Sequence, residues 1–186
     1  LKSNSTLRGI ELDNISGMIL KLLYPDANVN IGGFEEQRIK NNSLDLVVTN
    51  VPFGAFKVHD SNEKDLSKFD IHDYFIAKSI RKLKPGGLGV FITTSSTMDK
   101  SNTLREWLIN NGSSDVIGAV RLNSDTFKGN AGTEATADII VIRKRTGGVS
   151  PYAKNVQDIV TTREAVYEQK VKPQYYWQSE TIEEKT

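Results

Sequence analysis

The feature that most restricts what this chain can fold into is an alternation. Short apolar runs suited to strands take turns with stretches whose apolar residues recur at helical spacing. That order calls for an α/β fold with a mainly parallel sheet, because a parallel strand needs a crossover, usually a helix, to bring the chain back. LRGIELD, Leu7 to Asp13, reads as a strand ending in acids. Ile15, Met18, Ile19 and Leu22 follow at helical spacing, with Pro25 just beyond, which predicts a helix with those side chains on one face. Ala27 to Phe34 is a second short strand, and LDLVVTN, Leu44 to Asn50, is a third. The uniform apolarity of the third predicts a strand covered on both faces. Residues 55–70 are polar and charged, a loop. Ile71 to Lys84 predicts an amphipathic helix burying Tyr74, Phe75, Ile76, Ile80 and Leu83, and Pro85-Gly86-Gly87 a turn. LGVFITT is the next strand, and NTLREWLINNG a helix stopped by Gly112. DVIGAVRL and ADIIVIRKR are strands predicted to pair antiparallel, since the Gly-rich loop between them, Phe127 to Gly132, holds no crossover helix.

The 186 residues suffice for one domain with a core. After Arg145 the apolar density falls, which divides the chain into a catalytic-type domain over 1–146 and an extension over 147–186, with one helix near Thr161 to Lys170. There are no cysteines and two histidines, so disulfides and thiolate metal sites are excluded and no metal is expected. The apolar runs are far shorter than a membrane span, and no signal-peptide pattern opens the sequence, so a cytoplasmic protein is expected. The balance of 24 basic and 23 acidic residues gives no global attraction to nucleic acid, so such binding requires a local patch or another domain.

Ligands of open parallel sheets bind beyond the carboxyl ends of the strands. Glu11 and Asp13 end the first strand, Phe34, Glu35 and Glu36 follow the second, and Asn50 to Phe53 follow the third. Asp13 serves equally well as a helix cap. Glu11 is suited to two ribose hydroxyls or to plain exposure, and spacing alone places Phe34 in the core. The tip Asn50-Val51-Pro52-Phe53 has a bland reading too, a turn with Phe53 folded back on the core. Its pieces nevertheless suit one task. An adenine amine is a poor nucleophile because its lone pair is delocalised into the ring. Two acceptors on its two N–H bonds would draw the nitrogen toward tetrahedral geometry. The Asn50 side-chain oxygen is one such acceptor and the Val51 carbonyl the other. Pro52 biases Val51 toward an extended conformation, presetting that carbonyl, and Phe53 offers a face on which a base can stack.

Asn50-Val51-Pro52-Phe53 resembles the Asn-Pro-Pro-Tyr/Phe motif of S-adenosylmethionine-dependent N6-adenine DNA methyltransferases. GIELD resembles the family's second-strand motif, and GGFEE its third. The tracts NVPFGAFKVHD, HDYFIAKSIRKLKPGG, TTSSTMDK and NAGTEATADIIVIRKR resemble the methylase portion of very large helicase–methylase proteins of bacterial mobile elements and phages. The resemblance implies a Rossmann-like three-layer α/β/α sandwich, mainly parallel with an antiparallel edge pair. It implies S-adenosylmethionine as donor, held by Glu11 at the ribose, by Leu12, Gly33 and Phe34 at the adenine, and by Asn50. It further implies double-stranded DNA as partner, with the target adenine flipped out and methylated by Asn50, Val51, Pro52 and Phe53. Val51 stands where the family has its first Pro, and Gly33 where many members have Asp.

The family opens its donor site with a strand and a Gly-rich loop before the acidic strand, and Leu1 to Thr6 supply neither. The chain therefore reads as part of a longer protein with further domains, or as one that has lost the motif. Two expectations follow: that Leu7–Asp13 pairs directly with Leu44–Asn50 across the missing strand, and that these 186 residues alone bind the donor weakly or not at all. The competing readings are a non-catalytic methylase-like scaffold and, less favoured, methylation of RNA or a protein glutamine. A nicotinamide dehydrogenase would share the acidic strand end but leave Asn50 to Phe53 unexplained.

Overall fold

The computed structural model describes residues 5–122 and 136–148. The Gly-rich loop at Phe127–Gly132, the helix expected near Thr161–Lys170 and nearly all of the 147–186 extension lie outside them. The chain begins with β1 (Arg8–Glu11), α1 (Asn14–Leu23) and β2 (Asn28–Ile31), a parallel βαβ unit in which Glu11 lies opposite Ile31. β3 (Leu44–Asn50) runs parallel to β4 (Leu83–Thr94), which follows α2 (Ile71–Lys82). Two short helices follow, α3 (Ser95–Asp99) and α4 (Asn102–Asn110), then β5 (Ser114–Arg121) and β6 (Ala137–Lys144). β6 pairs antiparallel with both β4 and β5, giving the antiparallel edge pair that the sequence predicts.

The core lies between α2, α4 and the four-stranded sheet. Tyr74, Ile76, Ala77 and Ile80 of α2 meet Phe91 of β4, Ile140 and Ile142 of β6, and Leu104 and Trp107 of α4. Each large side chain there contributes roughly 1.5–3 kcal/mol by leaving water. The Pro-Gly-Gly turn forms as an irregularity within β4: the pairing steps from Leu44–Leu83 to Leu46–Leu88, and Gly86 takes φ of 83°. At the end of α4, Gly112 donates to the Trp107 carbonyl, but the left-handed residue is Ser113, at φ 47°. Gly112 is required for closeness instead, because a Cβ there would come within 2.8 Å of the Trp107 ring.

Two expectations are corrected. First, β1 does not pair with β3. The strands form two sheets, β1–β2 and β3–β4–β6–β5. The turn after β2 is instead anchored on α2, by a buried ammonium described below. Second, β3 is covered on one face only. Val47 packs on the core, whereas Leu46 and Val48 share the open face, Val48 at 68% exposure. The apolar stripe of α1 is not its buried face. Ile15, Met18, Ile19 and Leu22 are all exposed, Leu22 at 82%. The helix instead sits on its strands through Gly17 and Leu20. A Cβ on Gly17 would lie 2.6 Å from Ile31, and one on Gly9 would lie 2.8 Å from Leu20, so this contact is closer than larger residues permit. The helical spacing holds, and the stripe it marks stays in solvent. Asp13, for its part, is the cap: its carboxylate accepts from the Ser16 amide at 2.7 Å.

Candidate functional site

Two groups of strand-end residues carry polar chemistry. The first stands at the end of β1–β2. Because Glu11 is in register with Ile31, Glu11 and the turn after β2 share one edge. Glu11 Oε1 accepts from the Asp13 amide at 3.0 Å, and the Glu11 carbonyl accepts from Gly32 at 2.9 Å. Gly32 has φ of 145°, a conformation for which glycine is the natural residue. Gly33 then opens a single turn of 3₁₀-helix, Phe34–Glu36, and its carbonyl accepts from the Gln37 side chain at 3.0 Å. Leu12 is 74% exposed beside them. The Phe34 ring is half-buried, 4.9 Å from the Phe75 ring and 6.4 Å from that of Tyr74. Phe34 thus packs on the core, as its spacing predicts, and still meets solvent.

The second group is the tip of β3. The Val51 amide donates to the Ile92 carbonyl at 3.0 Å, and its side chain is buried in the core. This fixes the backbone one residue beyond the strand. Asn50 is exposed, and its side chain makes no hydrogen bond with any described residue. Phe53 is 44% exposed, so it is Val51 and not Phe53 that folds onto the core. Beyond the tip the chain returns to α2, where Ile71 donates to the Phe56 carbonyl at 2.9 Å. Glu11, Leu12, Gly33 and Phe34 are therefore brought together, as are Asn50 to Phe53, but on separate sheets.

Sequence reasoning missed what joins them. Lys78 of α2 is fully buried. Its ammonium donates to the Phe34 carbonyl at 2.7 Å, the Glu35 carbonyl at 3.2 Å, Asp60 Oδ2 at 2.8 Å and the Tyr74 hydroxyl oxygen at 3.3 Å. It also lies over the Phe34 ring, 4.9 Å from its centroid. Asp60, equally buried, accepts in addition from Tyr74 Oη at 2.6 Å and from the amides of Asn62 and Glu63 at 2.8 and 3.0 Å. Burial pushes the Asp60 carboxyl up, but the hydrogen bonds from Lys78 and Tyr74 outweigh it and hold the group below the usual carboxylate range. The Tyr74 hydroxyl is pushed up by the same burial and by Asp60. A readable signal existed: Lys78 falls four residues after Tyr74, on the apolar stripe of its helix. The loop at 55–70 is held at a second point by Glu63, which pairs with both Arg81 and Lys82.

Among the described residues no group of His, Asp or Glu side chains is arranged to hold a metal ion, and no helix is long and apolar enough to cross a membrane.

Residues 3–126 match the family described as Eco57I restriction-modification methylase. The chain is 34% identical, over 143 residues, to the Defense against restriction protein B of Escherichia phage P1, spanning 75% of this chain and 6% of that protein's length. In structure it resembles a protein described as the modification subunit of a type I restriction enzyme from Vibrio vulnificus YJ016, at 13% identity and a TM-score of 0.64, over 92% of this chain and 43% of that one. It also resembles the M protein of the type I restriction enzyme EcoKI, at 18% identity and a TM-score of 0.56, over 74% of this chain and 31% of that one. At those identities the likeness is one of fold, and it agrees with the Rossmann-like α/β class read from the sequence.

Proposed function

This chain belongs to the Eco57I restriction-modification methylase family, and from that premise we propose that it forms the catalytic part of an enzyme that methylates N6 of an adenine flipped out of double-stranded DNA, with S-adenosylmethionine as donor. The observation that carries the reading is the tip of β3: an exposed Asn50 with no described partner, beside a Val51 pinned to β4 and an open Phe53 ring. The β1–β2 edge fits the donor. Its carboxylate at Glu11, its open Leu12 and its half-buried Phe34 match the ribose and adenine they would hold, and Gly32 and Gly33 keep the turn free of side-chain bulk.

When bound, S-adenosylmethionine supplies a methyl group on a sulfonium that is already a good leaving group, so no strong base is needed. The chain's own residues position the acceptor. The Asn50 side-chain oxygen and the Val51 carbonyl accept the two N–H bonds of the amine and localise its lone pair, a preorganised electrostatic contribution. Val51 replaces the stiffer Pro of the family, and its buried side chain together with the bond to Ile92 restores the rigidity. Phe53 stacks on the extruded base.

The test is Asn50→Ala in the full-length gene product. Methyl transfer to DNA should fall by about two to four orders of magnitude while donor binding is kept, because the lost contact acts mainly in the transition state. Near-normal turnover would remove Asn50 from the chemistry. The separation of the two sheets favours one rival, a methylase-like scaffold, which predicts no methyl incorporation by the wild type at all.

A further inference from the structure

We propose that Lys78 is a positioning residue for the donor, the group that aims the Phe34–Glu35 turn into the adenine pocket and ties that turn to the loop following the catalytic tip. The inference rests on the donor assignment above. Its basis is the number of acceptors gathered on one buried ammonium. Two come from consecutive backbone carbonyls of the turn after β2, Phe34 and Glu35. One is the carboxylate of Asp60, ten residues past Asn50, and one is the Tyr74 hydroxyl. These two carbonyl contacts bond the turn directly after β2 to α2, and the same connection bonds to α2 and β6 again further on, at Asn41, Asn42 and Ser43.

The chemistry of the contact explains why a lysine is used. An apolar residue at position 78 would fill the space but leave the Glu35 carbonyl without a donor and the Phe34 carbonyl with the Gln37 amide alone, at 3.2 Å, and a buried unpaired carbonyl is costly. The cation over the ring also favours one orientation of Phe34, with the Phe75 ring 4.9 Å away. The remaining surface of the ring is then set before a purine arrives. Lys78 touches neither donor nor base. Its effect passes through Phe34 and Glu35, and so should be read in donor affinity rather than in the transfer step.

The experiment compares Lys78→Met, the double variant Lys78→Met/Asp60→Asn and Phe34→Ala with the wild-type full-length protein. The double variant removes both charges, so it leaves no uncompensated buried ion and should fold if the single one does not. Donor affinity is read by calorimetry with S-adenosylmethionine, turnover at saturating donor by methyl incorporation into DNA, and the turn itself by amide exchange at Phe34 to Gln37. The proposal expects a donor dissociation constant raised about tenfold or more in the Lys78 variants, kcat within about threefold of wild type, and faster exchange confined to the turn. Unchanged donor affinity in these variants, with weakened affinity in Phe34→Ala, would overturn the role of Lys78 and leave the donor site standing. Unchanged affinity in Phe34→Ala would overturn the donor site and this inference with it. Equal losses in affinity and kcat would make Lys78 a general structural residue, which also overturns it.

Discussion

Asp60→Ala is the perturbation whose consequence can be worked furthest. The carboxylate and the Lys78 ammonium are both wholly buried and lie 2.8 Å apart. Removing the carboxylate leaves a cation in the core with only two carbonyls and a hydroxyl as partners. It also takes away the acceptor of the Tyr74 hydroxyl proton and of the Asn62 and Glu63 amides. Breaking one side of a buried pair costs about 3–5 kcal/mol, a large share of the roughly 5–15 kcal/mol that holds a domain folded. Removing both charges should cost far less than the sum of the two single changes, because the double variant buries no unpaired ion. The assay is urea unfolding of wild type, Asp60→Ala, Lys78→Met and the double variant Asp60→Ala/Lys78→Met at neutral pH, with ΔG taken from midpoint and slope. A coupling of at least about 2 kcal/mol is expected; additivity within about 0.5 kcal/mol would refute the pair as a unit. The pH dependence has a definite sign. The folded carboxyl titrates below its unfolded counterpart, so its contribution is complete above the unfolded value near 4 and is lost as pH falls through the depressed folded one. Acid should therefore narrow the gap between wild type and Asp60→Ala.

Two further outcomes concern the site. Phe53→Trp should keep most base extrusion, read as 2-aminopurine fluorescence at the target position, whereas Phe53→Ala should weaken it by about 1–3 kcal/mol; equal signals would assign Phe53 no stacking role. The 186-residue chain by itself should bind S-adenosylmethionine much more weakly than the full-length product, because Glu11 and Asn50 end strands of separate sheets with no ladder between them; low-micromolar affinity in a calorimetric titration would contradict this.

Local rules made the elements legible. Asp13 caps α1, LDLVVTN is β3 from Leu44 to Asn50, and the two strands that lack a crossover helix between them are antiparallel. The tip of β3 was legible because Asn, Pro and an aromatic make an unusual end to an apolar strand. The arrangement of sheets was not, because Leu46, Val48 and the α1 stripe advertise a partner without specifying which one. Apolar periodicity reports what would gain from burial, and only tertiary packing decides whether it is buried. The clamp escaped for the opposite reason. A lysine within an amphipathic helix is ordinarily assigned to the solvent side, and only the Phe34 and Glu35 carbonyls and Asp60, 18 residues earlier, make a buried position tenable.

The narrow join between the two sheets has a consequence for how such chains can be recombined. The β1–α1–β2 unit carries its own helix-to-strand contact, through Gly17 and Leu20, and the turn that follows it meets α2 through the Phe34 ring and the Phe34 and Glu35 carbonyls. A unit taken from a relative would need to match only the Phe34 ring and turn against Tyr74, Phe75 and Lys78 to seat itself. On the proposed reading, the donor half of the site would be a cartridge, exchanged apart from the half that would handle the base.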